Sequence, residues 1–287
     1  MLPMVVGRFA PSPTGPLHMG SLTTALASFC DIKSQGGKWF VRIDDIDPPR
    51  AMAGAEQAIL AGLEAHGLSG DLPIQRQSEH QAQFESARRQ LEPECYYCRC
   101  SRRSLASSGP YPGNCREFVA YRPDSALRIS VDKAERTYED AYLGTQRYRL
   151  DQDCGDFIIW RRDGLVSYQL ATAVDDGQGI SHVLRGEDLL ASTPPQRYLQ
   201  ERLGLTTPTY AHLPVLCHPD GTKLSKQSHA PALDNQRALE NLRQALGYLG
   251  HPPPSHPFNI ADLLGWAVAH WNLNAVPRER AYVGPLQ

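Results

Sequence analysis

Between residues 4 and 43 the chain alternates two short apolar runs with one helical pattern, and this order restricts the fold more than any other feature. "MVVGRF" (4–9) reads as a strand and is followed by the tight loop "APSPTGPLHMGS" (10–21). Leu22, Ala25, Leu26 and Phe29 then recur at helical spacing, and "KWFVRI" (38–43) reads as a second strand. Further helical patterns cover 52–66 and 78–91. A strand–helix–strand–helix order predicts a parallel sheet with helices on its faces, an α/β fold of Rossmann-like type. From Cys95 to about Arg162 the pattern breaks into turns, arginines and cysteines, which predicts an insertion. It resumes with "SYQLATAVDD" and "ISHVLRGEDLL". "GHPPPSHPF" (250–258) then makes a proline-rich turn before an amphipathic helix carrying Ile260, Leu263, Leu264, Ala267 and Trp271. The expected organisation is a catalytic domain over 1–95 and 163–235, an inserted subdomain over 96–162, and a short helical stem-like region over 236–287.

Length and composition bound the function. With 287 residues, 41% hydrophobic and 21% charged, the chain suits a soluble globular protein with a sizeable core. A formal net charge of −2 excludes a chain that wraps nucleic acid by bulk charge, so any RNA contact uses local patches. No export signal or bilayer-spanning apolar run is read, and the expected location is the cytoplasm. Four of the seven cysteines crowd into 95–115. Without an export signal, that clustering points to metal before disulfide.

The loop at 10–21 sits where a parallel sheet binds ligands, at the end of a strand and the start of a helix. The unpaired N–H groups of a helix N-terminus attract anions. Gly15 and Gly20 permit close backbone approach, and Pro11, Pro13 and Pro16 stiffen the loop. His18 is placed to donate to a phosphate oxygen. On residue types alone, a proline-rich turn with an exposed histidine is the simpler reading. A second segment, "GTKLSKQ" (221–227), changes that balance: its two lysines bracket a serine in a polar loop after the apolar "HLPVLC".

"LHMGS" and "KLSKQ" resemble the two signature motifs of class I aminoacyl-tRNA synthetases. "GRFAPSPTG", "VRIDDIDPPR", "VDD", "HVLRGEDLLASTP" and "HLPVL" occur in the order found in the glutamyl branch, so the resemblance spans residues 5 to about 230. It implies activation of L-glutamate by ATP, with Mg²⁺ bridging phosphates. His18 and Lys226 are the implied catalytic pair, and Gly20, Ser21 and Lys223 complete the ATP site. The implied glutamate pocket comprises Arg8, Phe9, Ala10, Pro11, Ser12, Asp44, Tyr168 and Arg185, the arginines suiting a carboxylate. Asp44 departs from the glutamate usual in the family and is one methylene shorter.

The cysteine segment holds Cys95, Cys98, Cys100 and Cys115. Residue types alone favour four thiolates, with Cys95 as the fourth zinc ligand. The resemblance instead implies Cys98, Cys100, Tyr111 and Cys115, and one structural zinc. Residues 96–122 carry Arg99, Arg102, Arg103, Arg116 and Arg122 against the single acid Glu117. Such a basic knob suits an RNA backbone or a solvated face, and Tyr96, Tyr97 and Tyr121 suit stacking or a core.

Sixty-one residues follow Lys226, enough for a few stem helices and too few for the helical anticodon-reading portion of ordinary glutamyl enzymes. Thr23 stands where those enzymes carry an arginine. Both traits resemble a truncated branch of the family. That likeness implies transfer of glutamate to the queuosine base in the anticodon of tRNA(Asp), by a chain expected to act as a monomer. A minimal synthetase charging the tRNA 3′ end, and a non-catalytic RNA-binding relative, are the competing readings.

Overall fold

The computed structural model describes residues 4–101, 109–218, 221–224, 230–256, 259–279 and 281. The chain divides into two compact units. One gathers residues up to Arg76, Ile180–Leu189 and everything from Thr209, and the other gathers Gln77–Gly179 and Leu190–Pro208.

In the first unit, strands β1 (Val6–Phe9), β2 (Lys38–Ile43) and β3 (Gln75–Arg76) pair in parallel, with helix α1 (Met19–Ser34) between β1 and β2 and α2 (Ala55–Ala65) between β2 and β3. The second unit carries α3 (Gln81–Leu91), β4 (Cys95–Cys98), β5 (Ala126–Ile129), β6 (Arg136–Asp140), β7 (Gly144–Tyr148), a single turn α4 (Leu150–Asp153), β8 (Phe157–Trp160), α5 (Tyr168–Asp176) and α6 (Thr193–Leu203). Strands β9 (His182–Gly186) and β10 (Thr209–Leu213) return to the first sheet, which runs β3-β2-β1-β9-β10, all parallel. Helices α7 (Ala238–Tyr248) and α8 (Ile260–Ala269) complete the first unit.

The sequence explains these elements locally. In β2 every residue after Lys38 is buried, as expected of a parallel strand covered on both faces. Gly7 of β1 lets α1 lie close, since a Cβ there would come 2.4 Å from Ile32 Cγ1. Trp39 is fully buried, and its indole N–H donates to Ser28 Oγ of α1 at 3.0 Å. α2 starts at Ala55 rather than at 52, because Gly54 turns left-handed (φ 76°) and the Met52 amide donates to Pro13 O. α3 starts at Gln81, after a 3₁₀ turn over Gln77–His80. α8 ends at Ala269, short of Trp271. That indole donates to Asp31 Oδ1 of α1 at 3.0 Å and stacks on His251, so it ties the C-terminal segment to α1.

In the second unit β4, β5 and β8 form an antiparallel sheet, β6 and β7 form a hairpin, and α3, α5 and α6 pack together. No described helix is long and apolar enough to cross a membrane.

Candidate active site and metal centre

In the first unit the chain leaves β1 toward β2 on one side, while β9 lies on the other. That reversal makes the ends of β1 and β9 a topological switch point, where open parallel sheets hold ligands. Register fixes what stands there. Gly7 pairs with His182, Arg8 with Phe40, and Arg185 with His212. Because side chains alternate, Arg8, Arg42 and Arg185 share one face of the sheet, opposite the Gly7 side that receives α1. All three are buried, at 4%, 1% and 4% exposure. Three enclosed guanidiniums need compensation. Arg42 binds Asp44 through Nε–Oδ1 at 2.7 Å and Nη2–Oδ2 at 3.4 Å. Arg185 Nε donates to His212 Nε2 (3.1 Å), its Nη2 reaches Leu189 O (3.4 Å), and its guanidinium lies over the Tyr210 ring. The result is a buried face on which three guanidiniums gather beside the Asp44 carboxylate, chemistry suited to an anionic ligand.

The adjoining loop is pinned to the end of β2, with the Asp44 amide donating to Pro11 O at 3.0 Å. Phe9 is buried, Ala10 and Pro11 are half-buried and Ser12 is exposed. His18 caps α1: the Ser21 amide donates to His18 Nδ1 at 3.3 Å, and the His18 amide donates to Ser21 Oγ at 2.9 Å. With Nδ1 accepting, a neutral ring carries its proton on Nε2. A Cβ on Gly20 would stand 3.2 Å from the His18 ring and 3.5 Å from Leu224 O. The described part of the second motif, Gly221–Leu224, therefore reaches the first motif. Its Lys223 forms a salt bridge with Asp188. Lys226 lies outside the described residues. Tyr168 opens α5 in the second unit, half-buried behind the Ser167 cap.

The cysteine centre belongs to the second unit. Cys98 ends β4, Cys100 follows it, and Cys115 lies in a turn. Their sulfurs fall within 4.8 Å of one another. The Tyr111 hydroxyl is 3.3 Å from Cys98 Sγ and 3.6 Å from Cys100 Sγ, and the Cys100 and Cys115 sulfurs are 3.7 Å apart. A tetrahedral ion with metal–sulfur bonds of about 2.3 Å sets its sulfurs about 3.8 Å apart, so the spacing fits a closed four-ligand site. Cys95 stands three residues from Cys98 in the same strand, on its other face, and burial pushes its thiol up to about 12. Burial also raises the Cys98 thiol, but hydrogen bonds from Tyr111 and Arg128 outweigh it and bring the group down to about 7. Tyr111 is brought in by a backbone bridge to Gly155, where a Cβ would lie 2.4 Å from Tyr111 N and O. Arg128 covers its ring at 3.9 Å. Beneath, the buried Asp156 accepts from Arg116 Nε and Nη2 (2.7 and 2.6 Å), Tyr96 Oη (2.6 Å) and the Val131 amide (2.9 Å).

Comparison with known proteins adds to this geometry. A family model described as the catalytic domain of class I tRNA synthetases (E and Q) matches residues 4–108 and 113–267. The chain belongs to that family. It is accordingly a ligase. It is 46% identical over 279 residues to a glutamyl-Q tRNA(Asp) synthetase of Pseudomonas aeruginosa PAO1, covering 95% of each chain. It is 45% identical over 290 residues to one of Neisseria meningitidis serogroup C, covering 96% of this chain and 98% of that one. The crystal structure of a glutamate-tRNA synthetase from Elizabethkingia anophelis superposes with a TM-score of 0.79 at 23% identity, covering 98% of this chain and 68% of that one, a likeness of fold.

Seen as a class I synthetase catalytic domain, the molecule holds several residues that sequence reasoning passed over. Arg42 and His212 help build the buried sheet face, Asp188 holds Lys223, and Gly155, Arg128 and Asp156 shape the cysteine centre. Arg42 left one signal: a charge inside an otherwise apolar strand requires a partner, and Asp44 follows two residues later on the same face.

Proposed function

We propose that the chain activates L-glutamate with ATP and transfers the glutamyl group to the queuosine base in the anticodon of tRNA(Asp). In the first step a glutamate carboxylate oxygen attacks the α-phosphorus. The bond to the bridging oxygen breaks, pyrophosphate leaves, and glutamyl-adenylate forms. In the second step an acceptor group on the base attacks the acyl carbon and AMP leaves. Positioning and charge stabilisation suffice, and no protein nucleophile is needed.

The observation that carries this reading is the buried arginine face at the switch point, next to a helix N-terminus capped by His18. Arg8 and Arg185 receive the glutamate carboxylate, and Asp44 faces its ammonium. His18 Nε2–H and the Gly20 amide hold ATP phosphate oxygens at the helix N-terminus that Ser21 helps cap. Lys223, released from Asp188, and Lys226 add positive charge from the second motif. Mg²⁺, bound mainly through ATP itself, neutralises phosphate charge. Cys98, Cys100, Tyr111 and Cys115 hold one zinc ion, which cross-links the turn structurally because four protein ligands leave no open position. The names of the relatives at 45–46% identity support the choice of acceptor.

The test is an amino-acid screen by ATP–pyrophosphate exchange, followed by mapping of labelled glutamate on RNA. Exchange with glutamate, and label in the anticodon fragment of queuosine-containing tRNA(Asp) alone, is the expected result. Label on the terminal adenosine would replace this reading with a minimal synthetase. Absence of exchange with every amino acid would leave an RNA-binding protein.

A further inference from the structure

We infer that the open pocket between α3 and the end of the β4–β5–β8 sheet binds one unpaired nucleotide of the RNA, by stacking its base on Tyr121 and pairing its phosphate with arginine. The inference rests on the reading above that the substrate is RNA. It assigns a binding site within the second unit, whereas the arginine face is built by strands of the first.

The pocket encloses about 470 Å³, within the 300–1,000 Å³ usual for small-ligand sites. Its lining includes Arg88, Tyr97, Tyr121, Arg122, Trp160 and Arg162. Arg161 also lines it but is engaged by Asp163 (Nη2–Oδ2 2.6 Å), so Arg88, Arg122 and Arg162 stand against the two lining acids Glu85 and Asp124, a small local positive excess in a chain of net charge −2. Aromatic faces interleaved with guanidiniums form the recognition surface for single-stranded nucleic acid, because every base has a stackable face and every linkage a negative charge.

Tyr121 is the exposed aromatic of this lining, at 74%. Its ring meets Tyr97 edge to face at 5.5 Å and 86°, so the buried Tyr97 props it while leaving most of it to solvent. An aromatic left so open on a braced backbone is a pre-formed stacking surface rather than part of the core. The bracing is explicit. The Tyr97 amide donates to Phe118 O at 2.8 Å, Arg99 donates twice to Pro123 O at 3.0 and 2.6 Å, and Arg162 donates to Arg99 O at 2.9 Å. Arg122 lies 3.8 Å over the Phe118 ring, and Arg88 lies 5.4 Å over Trp160. Both guanidiniums are held by ring faces, which orient them without neutralising their charge. Tyr121 follows Cys115 by six residues, and the Phe118 amide donates to Cys115 O at 2.9 Å. The cysteine centre thus anchors the strap that presents the stacking ring.

The test uses the full chain with two RNA probes: queuosine-containing tRNA(Asp), and a hexa-adenylate bearing one 2-aminopurine whose fluorescence reports stacking. Tyr121→Ala is expected to weaken both complexes about 5- to 100-fold, while Tyr121→Phe retains binding. Arg122→Gln is expected to lower the salt slope of log Kd by about 0.7 on the hexamer. Glutamate-dependent ATP–pyrophosphate exchange should stay within about twofold of the parent in all three, since none lies in the adenylate site. Hexamer binding that is absent, or equal in the parent and Tyr121→Ala, overturns the pocket. Hexamer binding that depends on Tyr121, with no glutamate transfer to the tRNA, supports the pocket and overturns the proposed acceptor instead.

Discussion

In the first unit three arginines share a buried face because strand pairing puts them there, whereas in the second unit three sulfurs and a phenol meet because turns and one glycine contact bring them in. Arg8, Arg42 and Arg185 inherit their alignment from the hydrogen-bonded ladder of β2, β1 and β9. Cys98, Cys100, Tyr111 and Cys115 come from a strand end and two turns. A site set by a ladder keeps its geometry when one side chain is changed, so the cost of a change is mainly electrostatic. A site set by cross-links loses geometry and binding together.

The sharpest break of this comparison is an ion pair removed from each unit. Arg42 and Asp44 are both enclosed, so Arg42→Ala leaves a buried carboxylate without its bidentate partner and should lower unfolding free energy by about 3–5 kcal/mol in urea titration. Arg116 contacts the equally buried Asp156, but its own side chain is half exposed, and Asp156 keeps Tyr96 and the Val131 amide. Arg116→Ala should therefore cost only about 1 kcal/mol. Equal losses would show that burial of the cation does not set the difference.

His18→Ala comes next. If, as proposed, its ring donates to the phosphate where charge develops, exchange should fall about 10²- to 10³-fold, while loss of the cap costs about 1 kcal/mol of stability. Exchange within about threefold of the parent would remove His18 from the phosphate site.

The same contrast decides what could be read from sequence. β2 spans the residues its apolar run predicted, because a fully buried strand writes its signature into six consecutive positions. α1 begins beside the predicted helix N-terminus, because His18 and Ser21 cap it locally. The start of α2 escaped, since Gly54 and the Pro13 contact fix it from outside the helical pattern. Arg8 and Arg185 were available only through family resemblance. Their shared face depends on strands more than 170 residues apart in sequence, and no local period carries it. The cysteine centre was legible in its composition but ambiguous in its fourth member. Choosing between Cys95 and Tyr111 requires the strand alternation of β4 and the Gly155 bridge, a contact 44 residues distant. Asp156 was silent for the same reason: its partners lie 25 to 60 residues away.

Metal removal separates the units functionally. Cys98→Ser, or chelation of the intact chain, should take metal content from one ion per chain toward zero. Transfer to RNA should drop about tenfold or more, while exchange stays within about twofold. A parallel fall in exchange would mean that the arginine face depends on the cysteine centre.

The smallest expected effect concerns pH, and again distinguishes the units. His66, fully buried in the first unit, holds Gly62 O at 2.7 Å from Nδ1, while the Asn241 amide nitrogen lies 3.0 Å from Nε2. Those neighbours suit a neutral ring with its proton on Nδ1, because a second proton on Nε2 would face another donor. Burial, partly offset by the Gly62 hydrogen bond, lowers its pKa below the ordinary 6.5. The unfolded chain therefore binds more protons than the folded one below pH 6.5, and stability should be full above that value and decline as pH falls through it. His182, also lowered by burial, adds to the same slope. The second unit contains a single histidine, His80, paired with Asp175. His66→Gln should flatten the acid-side slope of urea stability below pH 6.5 and leave the neutral-pH profile of exchange unchanged. An unaltered slope in that variant would place the acid sensitivity elsewhere than the core beneath α7.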